Sequence, residues 1–88
     1  MAKQIICKGK VQGVFFRVST KEVADQLNLN GWVRNERNGD VFIHVEGDEE
    51  VVEKLIEWCW KGPMFSKVTE VIVNEAEDLY PKDFQIRY

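Results

Sequence analysis

Nine residues near the start of the chain, Gly9-Lys10-Val11-Gln12-Gly13-Val14-Phe15-Phe16-Arg17, set two glycines four apart just before an apolar-periodic stretch. A glycine-spaced loop that opens onto a helix leaves backbone N–H groups unpaired and aimed into one concavity. With the helix dipole behind it, such a nest holds a phosphate without any net basic charge. Arg17, in the first turn of that helix, adds a planar fork able to grip two phosphate oxygens. Asn35 lies four residues past Gly31 on a strand that has climbed about 13 Å back toward the same edge. A carboxamide both donates and accepts, so it can hold a water beside the bound phosphate. On spacing alone two readings stand. One is an oxyanion site; the other is a tight turn with a helix-surface arginine and a strand-end asparagine.

The other chemistry-bearing residues point elsewhere. His44 is the sole histidine and shares a strand face with Phe42 and Glu46, which makes it a surface or rim residue rather than a phosphohistidine. Glu46, Asp48, Glu49 and Glu50 lack the ligand register of a Ca²⁺ loop, and helix capping with dipole complementarity accounts for them. Cys7 and Cys59 lack metal-ligand spacing and are too few for a disulfide scaffold, so both are expected as reduced core thiols. Neither has a basic neighbour in sequence to make it a nucleophile. Thr20, one turn after Arg17, either braces the site or is a plain helix-face threonine.

The elements that must position these residues follow from periodicity. Gln4 to Lys8 is a β-prone run with Ile5 and Cys7 on the buried face. From Phe16 the period changes, and Phe16, Thr20, Val23, Ala24 and Leu27 form one helical stripe. Asn28 tolerates the left-handed conformation that ends a helix, and Leu29 supplies the closing apolar contact. Gly31–Asn35 and Val41–Val45 are strands joined through Asn38-Gly39, a strong hairpin signal. Asp48 is placed to cap a second helix whose inward stripe is Val52, Leu55, Ile56 and Cys59, stopped at Lys61-Gly62-Pro63. Trp58 and Trp60 point about 200° apart on it, so one of them faces the sheet edge or solvent. Ser66–Asn74 is a further strand, and Phe84, Ile86 and Tyr88 alternate on a short last one. The order β-α-β-β-α-β plus a terminal strand predicts an α+β, ferredoxin-like split βαβ sandwich. Four antiparallel strands and a short C-terminal one would carry both helices on one face.

The 88 residues suffice for one domain, 1–88, burying roughly 60% of its unfolded surface. Twelve Lys and Arg against fifteen Asp and Glu leave a net charge of −3, which argues against nucleic-acid binding, since that rests on neutralised phosphates. No apolar run reaches the length of a membrane span, and the N-terminus lacks a signal-peptide core. A cytoplasmic monomer with no membrane partner is expected.

The motifs themselves resemble a known family. Gly9–Arg17 is similar to the first acylphosphatase motif, G-x-V-Q-G-V-x-F-R, at every defined position. Gly31-Trp32-Val33-Arg34-Asn35, with Gly39-Asp40-Val41 and Gly47, resembles the second. Gly62-Pro63, Ser66-Lys67-Val68 and Phe84–Tyr88 are similar to the closing stretch. Departures fall outside the motifs: Asn28 stands where a glycine is common, Met64-Phe65 is bulkier than usual, and the cysteines are not family features. The resemblance implies hydrolysis of a carboxyl-phosphate anhydride, with no metal or cofactor. By that implication the backbone N–H groups of Gln12, Gly13, Val14, Phe15, Phe16 and Arg17, with the Arg17 guanidinium, hold the phosphoryl group. Asn35 positions the water, and the substrate's own phosphate takes the proton.

Three classes are weighed: a free-standing enzyme, a non-hydrolysing phosphate-binding module of the same fold, and a ferredoxin-like RNA-binding domain. The module, as at the start of hydrogenase-maturation carbamoyltransferases, needs a catalytic domain beside it, whereas this chain ends at Tyr88. The RNA-binding reading needs a basic aromatic motif that Val41–Val45 lacks. The enzyme, acting on a small acyl phosphate, is the expectation.

Overall fold

The computed structural model describes residues 1–88 in the order β1 (Ala2–Lys10), α1 (Phe16–Gln26), β2 (Asn30–Asn35), β3 (Val41–Glu46), α2 (Glu49–Lys61), β4 (Lys67–Ala76) and β5 (Phe84–Arg87). The sheet order is β4-β1-β3-β2-β5. The first four strands to form neighbours are antiparallel, with Ile5 opposite Ile43 and Val33 opposite Ile43 in the centre. β5 then joins the edge of β2 in parallel, so the ferredoxin-like sheet gains a fifth strand and becomes mixed.

One face of the sheet carries the core. Ile5 and Cys7 of β1, Val33 of β2 and Val41, Ile43 and Val45 of β3 are buried against Phe16 and Ala24 of α1 and Val52, Leu55 and Cys59 of α2. The helical and strand periods in the sequence meet on this one surface. α1 ends as Asn28 turns to a positive φ of 56°. Its N–H reaches Asp25 O at 3.1 Å while that of Leu29 reaches Ala24 O at 2.9 Å, the paired bonds of a Schellman stop. The β2–β3 turn is longer than a bare Asn-Gly hairpin. Residues 37–39 form a three-residue loop between Glu36 and Asp40, whose N–H···O bond measures 2.8 Å, with Gly39 at positive φ as its bulge.

Asp48 precedes α2 with extended backbone, but its carboxylate makes no capping bond; its backbone carbonyl accepts from Val51 and Val52 instead. The two cysteines are free thiols and fully buried. Cys59 is pushed well up by its contact with Cys7 and by burial, which keeps it un-nucleophilic at neutral pH. Trp58 packs against Phe16 at 5.5 Å between centroids, and Trp60 is the exposed member of the pair.

His44 is not a rim residue. It lies on the sheet face away from the helices, yet only 1% of it is exposed. The Trp32 ring stacks on it at 4.4 Å, and the Glu46 carboxylate meets its Nε2 at 2.5 Å. An ionised carboxylate only accepts, so the ring nitrogen donates. Glu46 therefore does not belong with the capping acids. It also accepts the backbone N–H groups of Leu79 at 2.8 Å and Tyr80 at 3.2 Å. Those residues sit in the 77–83 segment, which must traverse the lower end of the sheet because β4 and β5 are its two outer strands.

The burial of Glu46 acts to raise its pKa, but the His44 contact and the two amides outweigh it and hold the group below its ordinary 4.5. A depressed carboxylate stabilises the fold above its unfolded value and loses that effect as pH falls through the folded one. Glu46→Gln should lower the urea-unfolding free energy by about 2 kcal/mol at neutral pH. The gap from wild type should close as pH drops below 4.5. Faster amide exchange at Leu79 and Tyr80 should accompany it, and an unchanged urea midpoint at pH 7 would count against this role.

Candidate functional site

The site is built at the upper end of the sheet, where β1 gives way to the 11–15 loop. Gly9 has a φ of 117°, and a Cβ there would sit 2.1 Å from Lys67 O. It marks a bulge between Lys8 and Gly9, after which the β1–β4 ladder resumes with Gly9 opposite Val68 and Lys10 opposite Lys67, so the strand runs two residues into the segment that the glycine spacing reads as loop. Gly13 follows at φ 74° with open space around it, so the backbone handedness and not crowding requires glycine. Phe15 repeats the positive value, at φ 60° and ψ 28°, although it carries a bulky side chain. Such a conformation costs of order 1–3 kcal/mol and persists where surrounding structure imposes it. Here buried Val14 and Phe16 on either side anchor it.

Positive φ at Gly13 and Phe15, with Val14 between them on the ordinary side, curls the backbone into a nest. None of the N–H groups from Gln12 to Arg17 donates to another backbone carbonyl. The first turn of α1 carries no acidic side chain. Unpaired N–H groups and the positive end of a helix dipole give this concavity the chemistry that suits an anion.

Arg17 and Asn35 come to the same place. Both line one cleft of about 280 Å³ together with Gly13 and Phe15 of the loop. Its remaining wall is apolar: Val11, Phe16 and Val18, with Ile86 and Tyr88 from the far end of the chain. Asn35 is the last residue of β2, opposite Val41, and half-buried. Of the sequence-predicted loop, Gly13, Phe15, Phe16 and Arg17 thus share one cleft with Asn35, whereas the side chains of Gln12 and Val14 do not line it. Thr20 is not part of it: fully buried, its hydroxyl donates to Phe16 O one turn back at 2.7 Å.

What sequence reasoning missed is the contribution of β5. Arg17 Nη1 donates to Arg87 O at 3.3 Å, and the guanidinium lies 4.6 Å from the centre of the Tyr88 ring. Lys21 Nζ donates to Phe84 O at 3.0 Å, so α1 and β5 are tied at two points. The cation–π contact and the carbonyl together fix the orientation of the Arg17 plane. A guanidinium has five N–H donors, so one bond to Arg87 leaves the others for an anion. The alternation of Phe84, Ile86 and Tyr88 announces a strand but not its neighbour. Only the parallel pairing with β2 carries it to the cleft.

No group of three or more His, Cys, Asp or Glu side chains is gathered as a metal-ligating cluster, and no helix is long and apolar enough to cross a membrane.

The chain is similar to known proteins in sequence and in fold. The acylphosphatase family model matches residues 3–86. An acylphosphatase of Nocardioides sp. is 41% identical over 86 residues, covering 98% of this chain and 87% of its own length. One from Pelotomaculum thermopropionicum is 48% identical over 70 residues, covering 80% and 76%. The crystal structure of acylphosphatase from Bacillus subtilis superposes with a TM-score of 0.94 at 40% identity, covering 99% of this chain and 98% of that one. Full-length HypF, solved in a phosphate- and nucleotide-bound form, superposes at 0.89 and 36% identity, but only 12% of that chain is covered. With the family model spanning nearly the whole chain and the loop, arginine and asparagine gathered in one cleft, this chain belongs to the acylphosphatase family.

Proposed function

We propose that residues 1–88 act as one unit that hydrolyses small acyl phosphates, with the phosphoryl group seated in the loop of residues 12–17 and clamped by Arg17. The observation that carries this reading is the cleft itself. It joins an unpaired N–H nest, a guanidinium and a carboxamide. A phosphoryl group in the nest directs its equatorial oxygens at the loop N–H groups and at Arg17. Asn35, across the cleft, accepts from and donates to a water aimed at phosphorus.

As the water oxygen bonds to phosphorus, the bridging oxygen–phosphorus bond breaks and its electron pair leaves on the carboxylate. One water proton passes to a phosphoryl oxygen of the substrate; the other stays on the phosphate product. A carboxylate is a good leaving group, so positioning and charge stabilisation suffice, and no side-chain base is needed. Arg17 attracts the charge that develops on the phosphoryl oxygens. The cleft grips mainly the phosphate, so the acyl group is weakly discriminated. The enzyme is proposed to act as a monomer, because the loop, Arg17 and Asn35 that the chemistry requires are all present in one copy. Two free buried thiols suit a reducing cytoplasm.

The test is hydrolysis of benzoyl phosphate, followed by ultraviolet absorbance with and without EDTA. Turnover should resist EDTA and be inhibited competitively by inorganic phosphate. A folded protein that binds phosphate without turnover would instead identify a non-hydrolysing module, as the placement of this fold within a much longer chain also allows.

A further inference from the structure

We infer that the side chain of Gln12 is a positioning residue that sets the spacing between the phosphate cradle and Asn35. This rests on the reading of Asn35 given above. The Gln12 carboxamide does not face the cleft. Its Nε2 donates both hydrogens to the base of the β2–β3 hairpin, to Glu36 O at 2.7 Å and Asp40 O at 2.9 Å. Glu36 follows Asn35 directly in the chain, and its N–H closes on the same Asp40 carbonyl at 2.8 Å. One side chain thus fastens the loop to Glu36 and Asp40, the pair that closes the β2–β3 hairpin just beyond Asn35.

The anchor point is itself held. Asp40 is buried, and its carboxylate accepts Lys8 Nζ at 2.7 Å and Asn38 Nδ2 at 3.1 Å. Lys8 belongs to β1, so the hairpin base is braced to the sheet on one side and to the loop on the other. Glutamine suits the position chemically. A single nitrogen with two hydrogens bridges two carbonyl oxygens. Asparagine is a methylene short, and a carboxylate only accepts. A nucleophile displaced by about 1 Å loses on the order of 10² in rate, so a slackened clamp should cost turnover without emptying the anion site.

The experiment is a double-mutant cycle with benzoyl phosphate. Gln12→Met keeps the length of the side chain and removes the donors. Its kcat should fall about 10- to 100-fold, while the inhibition constant of inorganic phosphate stays within about threefold, because the loop N–H groups and Arg17 remain. On an Asn35→Ala background the same change should cost less than about twofold, since the group it positions is gone. Multiplicative losses, or a phosphate constant that rises in step with the loss of kcat, would overturn the clamp while leaving the Asn35 role intact. An Asn35→Ala enzyme as active as wild type would sink both. Gln12→Glu decides the matter should Gln12→Met fail to fold. Its kcat relative to wild type should rise in part as pH falls toward 4 and the carboxyl regains one of the two hydrogens the clamp uses. A ratio that is flat with pH would overturn the clamp.

Discussion

Arg17→Ala should lose at least about 10²–10³ in kcat/KM for benzoyl phosphate, corresponding to roughly 3–4 kcal/mol of transition-state stabilisation. The expectation comes from how the arginine is held. Its guanidinium is fixed by the Arg87 carbonyl at 3.3 Å and by the Tyr88 ring at 4.6 Å before any substrate arrives. Charge stabilisation by a donor already in place costs no reorganisation at the moment of reaction. Phosphate affinity should fall too, because the same donors grip ground state and product. Arg17→Lys should recover only a small part: it keeps the charge but loses the fork and its seat on Tyr88. Circular dichroism should show both variants folded, since Arg17 is only half-buried. A folded Arg17→Ala within tenfold of wild type would remove the arginine from the chemistry.

Much of this site is readable along the chain because its parts are local. The glycine spacing, the change of period at Phe16 and the strand ending at Asn35 each depend on a few consecutive residues. Helix 2 is equally legible: Val52, Leu55, Ile56 and Cys59 repeat at helical intervals, and all four are buried. The features that escape are those made by distant residues. His44 shares its strand face with half-exposed neighbours, so alternation places it at the surface. Its cover comes from Trp32 on the next strand, while Glu46 ties it to a segment more than thirty residues away. The wall formed by Ile86 and Tyr88 depends on β5 choosing the edge of β2, a partner that no period encodes. The Gln12 clamp is hidden for a third reason. A motif shows that a glutamine is present, but its two acceptors are backbone carbonyls at positions 36 and 40, and any residue type supplies those.

Asn35→Ala should separate what Arg17→Ala combines. The loop N–H groups and the guanidinium proposed to hold the phosphoryl group are untouched, so the inhibition constant of inorganic phosphate should stay within about threefold of wild type. Turnover should nevertheless fall by about 10²–10³, since the water loses the group that orients it. A drop in kcat with ground-state binding preserved is the signature of an interaction made with the attacking nucleophile. Stability offers the control. Asn35 is half-buried at a strand end, where truncation removes little packing, so the urea midpoint should move by no more than about 1 kcal/mol equivalent. Asn35→Asp sharpens the point. A carboxylate still accepts from the water, but it cannot donate and it sets a negative charge beside the phosphate. Its activity should be no better than that of the alanine variant at neutral pH. Were Asn35→Asp to restore turnover, acceptance alone would be enough and the side chain would be acting as a base. The proton would then pass through the protein and not through the substrate's phosphate.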